Sequence, residues 1–104
     1  MNLSKAATFL TDVEDCADYL ATEAGETVAR RWKAELDRTI ELIRQQPEVG
    51  RVRHDLPFPG IRTFFLKELP RYLIFYRLGR RKIEFLRVRQ GMLHLPGLFE
   101  GGHQ

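Results

Sequence analysis

The sequence predicts an α+β fold, with an N-terminal antiparallel helix hairpin packed on a three- to four-stranded antiparallel sheet as a two-layer sandwich. Three observations predict it. Apolar residues recur at three- and four-residue steps through the first half of the chain. Residues that favour strands crowd into three short runs in the second half. Pro47 and Gly50 stand between the halves, where they end a helix. The 104 residues are read as one domain, with the helix hairpin over 1–50, sheet and tail over 51–99, and a frayed C-terminus over 100–104.

The first helix spans residues 5–23, where Phe9, Val13, Cys16 and Leu20, joined by Leu10 and Ala17, form one apolar stripe. Gly25 stops it, because Gly takes a left-handed backbone at little cost. Val28, Trp32, Leu36, Ile40 and Ile43 form the stripe of a second helix over residues 26–46. So short a break makes the two an antiparallel pair. Trp32 and Cys16 lie on these stripes and are assigned to the core, Cys16 as a structural thiol.

Pro57, Pro59 and Gly60 mark a loop. Strands are expected over 61–67, 71–78 and 82–89, and Asn2–Ser4 offers a fourth at an edge. Leu78-Gly79-Arg80-Arg81 reads as a tight hairpin with Gly79 and Arg80 at the turn. That register sets Tyr76 opposite Ile83, Ile74 opposite Phe85 and Tyr72 opposite Arg87. One face then carries Tyr72, Ile74, Tyr76, Ile83, Phe85, Arg87 and Arg89, and the other Arg71, Leu73, Phe75, Arg77, Lys82, Glu84, Leu86 and Val88. Neither face is purely polar. One covers the helices, and the other remains partly apolar with an arginine rim.

Composition narrows the function classes. With 43% hydrophobic and 30% charged residues, the chain is an ordinary folded protein rather than a disordered one. Its apolar runs last a few residues, far short of the roughly 20 that span a bilayer, and Met1-Asn2-Leu3-Ser4-Lys5 does not read as a signal peptide. The single Cys forms no internal disulfide and fits a reducing cytoplasm. One Cys and three dispersed His give no metal-ligand spacing, and no Gly-rich loop cradles a phosphate, so neither metal nor cofactor is expected.

Charge is unevenly distributed. Residues 1–29 carry Lys5 against Asp12, Glu14, Asp15, Asp18, Glu23 and Glu26. Residues 50–104 carry eleven Lys and Arg, nine of them Arg, against Asp55, Glu68, Glu84 and Glu100. A basic half rich in Arg suits a polyanionic or acidic partner, either nucleic acid or an acidic protein segment. Phe64, Phe65, Tyr72 and Tyr76 interleave with these arginines, as base-stacking residues do and as half-buried strands do.

The two helical stripes, Pro47-x-x-Gly50-Arg51, Gly60-Ile61-Arg62, Arg71-Tyr72-Leu73-Ile74-Phe75-Tyr76-Arg77, Ile83-Glu84-Phe85-Leu86-Arg87-Val88, Gly91 and Leu95-Pro96-Gly97-Leu98-Phe99 together resemble the ParE branch of the RelE/ParE toxin family, from Leu3 to Phe99. The resemblance implies a toxin of a type II toxin–antitoxin pair. Its partner is a cognate antitoxin whose C-terminal segment wraps it, in a hetero-oligomer. ParE-like members act on DNA gyrase by protein contact. RelE-like members cleave mRNA on the ribosome, and a degenerate member only binds its antitoxin. Target or antitoxin contacts fall to Arg62, Lys67, Arg71, Tyr72, Arg77, Arg87 and Arg89.

RNA cleavage needs a proton acceptor and donor beside the phosphate, and arginine supplies neither because it stays protonated. The tail Tyr of the RelE branch has no counterpart, since no Tyr follows Tyr76. Gln90, Leu93 and His94 stand where the ParE pattern has His, Arg and Asp. His94 is therefore the one candidate catalytic group, and its ordinary reading is an exposed histidine.

Overall fold

A computed structural model describes residues 1–91. The elements run β1 (Asn2–Lys5), α1 (Ala7–Ala24), α2 (Glu26–Gln45), β2 (Arg51–Val52), β3 (Ile61–Leu66), β4 (Leu69–Gly79) and β5 (Lys82–Gln90). The expected helices and three long strands are present within a few residues of their expected ends. Gly25 alone separates the helices, with φ at 98°, a value that costs Gly little. Among the described residues no helix is long and apolar enough to cross a membrane.

Among the described residues the sheet has five strands in the order β1-β5-β4-β3-β2, against the three or four expected. The N-terminal edge strand forms, but parallel to β5, with Leu3 opposite Ile83. The sheet is therefore mixed. β2 spans only two residues, too few for a period-two pattern to be legible. It pairs Arg51 with Thr63 and Val52 with Arg62.

The β4–β5 hairpin turns one residue later than the sequence reading placed it. Gly79 pairs with Lys82, so Arg80 and Arg81 form the turn, and Arg81 takes the positive φ of 58°. Tyr76 then lies opposite Phe85 instead of Ile83. A register break follows, after which Phe75 pairs with Arg87 and Ile74 with Val88. The extra residue breaks strict alternation, and Val88 enters the helix-facing core that the alternating pattern had denied it.

That core joins Phe9, Trp32, Leu36, Ile40 and Ile43 of the helices to Leu66, Tyr72, Ile74, Tyr76, Ile83, Phe85 and Val88 of the sheet. Trp32 is fully enclosed and meets Tyr72 edge-on at 5.6 Å between ring centroids. Cys16 is only partly buried. Leu10, expected on the stripe, is instead 51% exposed. Asp12 is buried in its neighbourhood at 2%.

Candidate functional site

The face of the sheet turned away from the helices carries a second apolar cluster. Leu56, Ile61 and Phe75 are buried there, with Leu73 and Leu86 packed against them. Leu56 comes from the loop between β2 and β3. Arg53 braces that loop, since its backbone N–H donates to the Ile61 carbonyl at 2.8 Å and its guanidinium pairs with Asp55. The Arg53 bond holds the Asp55 carboxyl below its ordinary range. Beyond Leu56 the cover ends. Phe65, opposite Leu73 in the β3–β4 ladder, is 42% exposed and stacks on Phe64 at 4.9 Å.

β2 pairs only with Arg62 and Thr63, so on the side of β3 away from β4 no strand among the described residues lies beside Phe64 to Leu66. A cleft of about 410 Å³ borders this edge, lined by Val49, Arg51, Arg53, Thr63, Phe64, Phe65 and Leu73. An unpaired strand edge offers backbone donors and acceptors to an extended peptide. Here aromatic rings and arginines flank it.

The opposite side of the sheet is closed by side chains. β1 covers β5 only as far as Phe85, and α1 runs along what remains. Thr8 Oγ1 donates to the Leu86 carbonyl at 2.9 Å, and the Val88 N–H donates to Asp12 Oδ2 at 3.1 Å. The Cys16 thiol stands 4.0 Å from the Val88 carbonyl. Residues at four-residue steps share one helix face, so Thr8, Asp12 and Cys16 take the place of a missing strand. Burial and the negative field of Asp12 push the Cys16 thiol up to about 11.

The sequence-predicted binding residues divide among these settings. Lys67 and Arg71 are exposed near the β3–β4 turn, with no ion-pair partner among the described residues. Arg62 holds the loop after α2, donating to the carbonyls of Gly50 at 2.8 Å and Glu48 at 3.3 Å. Arg77 pairs with Glu84 at 2.9 Å. Arg87 and Arg89 both reach Asp12, the first in a two-toothed grip and the second at 3.6 Å. Tyr72 is a core residue whose hydroxyl receives a bond from the Gln90 amide at 3.3 Å, and burial raises its pKa. His94 lies outside the described residues, as do Leu93 and the whole segment expected to fray.

Sequence reading missed Arg51 as a surface group and Asp12 as the anchor of two arginines, whereas Phe65 stands among the aromatics it singles out as interleaved with arginine. A signal for Asp12 was present. It stands three residues after Phe9 and four before Cys16, on the buried side of α1, where a carboxylate needs a cationic partner. Among the described residues no three potential ligands gather as a metal site, and His54 is exposed in the β2–β3 loop. The distal face brings together an apolar floor, an open backbone edge and exposed cations.

The family model described as ParE toxin of type II toxin-antitoxin system, parDE, matches residues 3–92. A solved structure titled "Chromosomal ParDE TA system from P. aeruginosa" matches with a TM-score of 0.73 at 20% identity, covering 86% of this chain and 95% of that one. That likeness shows the fold. No curated protein matches the chain by sequence.

Proposed function

The chain belongs to the ParE toxin family of type II toxin–antitoxin systems, and from that premise we propose that it acts in the cytoplasm by inhibiting DNA gyrase through protein–protein contact, neutralised by a cognate antitoxin. The observation that carries this reading is the distal face, where Phe65 and Leu73 lie beside the open edge of β3 with Arg51 at its border. Exposed aromatic and apolar surface bordered by arginine is the composition of a protein-binding patch. Contact inhibition requires shape and charge complementarity and no proton-transfer group.

In this proposal an extended antitoxin segment lies along β3 with apolar side chains on Phe65 and Leu73. Its acidic residues meet Arg51, Lys67 and Arg71, none of which forms an ion pair among the described residues, although Arg51 feels the field of Asp55. Arg62, Arg77 and Arg87 contribute less, because each already holds an internal partner. Expression of the chain without antitoxin, with mRNA ends mapped and chromosomal breaks assayed, tests the reading. DNA breaks with intact mRNA support it. Ribosome-dependent mRNA cuts that vanish in His94→Ala would replace it with the nuclease reading, and absence of any growth defect with the degenerate binder.

A further inference from the structure

The end of the β4–β5 hairpin is not used by the distal face. Gly79-Arg80-Arg81-Lys82 forms this tip, and all four residues are exposed. Arg80, Arg81 and Lys82 have no ion-pair partner among the described residues. The one acid of β5, Glu84, is taken by Arg77. Folding alone disfavours this turn twice over. Arg81 sits at φ 58°, where Gly, Asn or Asp is the easier choice. Three neighbouring like charges also repel one another. The Arg81 side chain receives no ion pair in return. Its backbone carbonyl accepts from the Asn2 N–H at 3.0 Å. A strained, uncompensated residue on an exposed turn points to a partner outside the chain.

We propose that this tip is a phosphate-backbone contact for duplex DNA. Its chemistry selects that partner among polyanions. Residues 79–82 carry no aromatic or aliphatic anchor, whereas protein hot spots rest on desolvated apolar side chains. Three cations fall short of the four to eight that read as an anionic lipid site. Phosphate contacts need only exposed Arg and Lys on a firm support, and a two-stranded ribbon fits the width of a major groove. Arg71 and Arg80 are nine residues apart, about 30 Å along an extended strand, so DNA at the tip leaves the Phe65 and Arg71 end of the distal face accessible. The inference does not depend on gyrase being the target.

The test is fluorescence anisotropy of a labelled duplex of arbitrary sequence, titrated with the complete chain at several salt concentrations. Three phosphate contacts predict that affinity falls roughly forty-fold between about 50 and 200 mM salt. Arg81→Gly lowers the log–log salt slope by about 0.9 while thermal stability is kept or rises, because Gly suits the turn. The triple variant Arg80→Gln, Arg81→Gly, Lys82→Gln loses most of the affinity and its salt dependence. Arg30→Gln with Arg31→Gln, which removes two exposed cations of α2, leaves both unchanged. Duplex binding that survives in the folded triple variant overturns the proposal. So does a polyglutamate chain, or a phosphatidylserine vesicle, that binds the tip more tightly than duplex at equal charge concentration.

Discussion

Arg87 Nε lies 2.7 Å from Asp12 Oδ2 and Arg87 Nη2 lies 3.0 Å from Asp12 Oδ1, closing α1 onto β5 across 75 residues of chain. Both side chains are largely withdrawn from water. Asp12 also takes the Val88 N–H. This carboxylate therefore joins the helix layer to the strand edge that β1 leaves uncovered.

Removing one partner of a buried pair strands the other charge. Asp12→Ala is expected to destabilise the fold by about 3–5 kcal/mol in urea unfolding. Asp12→Leu combined with Arg87→Met should cost less than Asp12→Ala alone, because the buried Arg87 charge goes with its partner and the one cation left, Arg89, is the more exposed of the two. A double variant no more stable than the single one contradicts this assignment.

Tyr76 clasps the loop after α2. Its hydroxyl donates to the Pro47 carbonyl and accepts from the Gly50 N–H, each at 2.8 Å. A Cβ at residue 50 would stand 2.6 Å from the Tyr76 hydroxyl. Gly50→Ala is expected to cost about 1–3 kcal/mol through this clash. Tyr76→Phe should cost about 1–3 kcal/mol by leaving both backbone groups unpaired. In the Tyr76→Phe background the Gly50→Ala penalty should shrink, which a double-mutant cycle reads directly.

Trp32 fills the centre of the layer between helices and sheet. Trp32→Ala is expected to lower stability by about 3–5 kcal/mol. Trp32→Phe should cost well under half of that, since the indole N–H makes no hydrogen bond among the described residues. Thermal melts of the two variants decide it, and equal losses would mean that the indole nitrogen has a role of its own.

Cys16 should be a slow nucleophile. Its pKa is raised from 9.0 to about 11 by burial first and by Asp12 second. At pH 8 the thiolate population is then roughly a hundred-fold smaller than in the unfolded chain, and the thiolate is the species that alkylates. Iodoacetamide labelling at pH 8 should accelerate sharply when urea is added. By linkage, the unfolded thiol ionises first above pH 9, so this group lowers stability between pH 9 and about 11.

The helices were legible because their stripes repeat over eighteen and twenty residues. The long strands were legible from their β-branched and aromatic runs. The sheet order and the direction of β1 were not, because pairing partners are chosen by tertiary packing and not by local pattern. The hairpin register failed at Arg80-Arg81, where an arginine holds the positive φ that turn rules give to Gly. The break at Phe75/Tyr76 then moved Val88 across the sheet. For the candidate site, the reading of a partly apolar, arginine-rimmed second face matches Leu56, Ile61 and Phe75. Which arginines are engaged was hidden, because Asp12, Glu84 and the carbonyls of Gly50 and Glu48 come from distant parts of the chain.

Supercoiling of relaxed plasmid by purified gyrase, titrated with this chain, tests gyrase inhibition directly. Inhibition that saturates with toxin, is reversed by the antitoxin C-terminal segment and is weakened in Phe65→Ser with Arg71→Glu is the predicted result. Unimpaired supercoiling at saturating toxin, with the same preparation cutting mRNA on ribosomes, would contradict it.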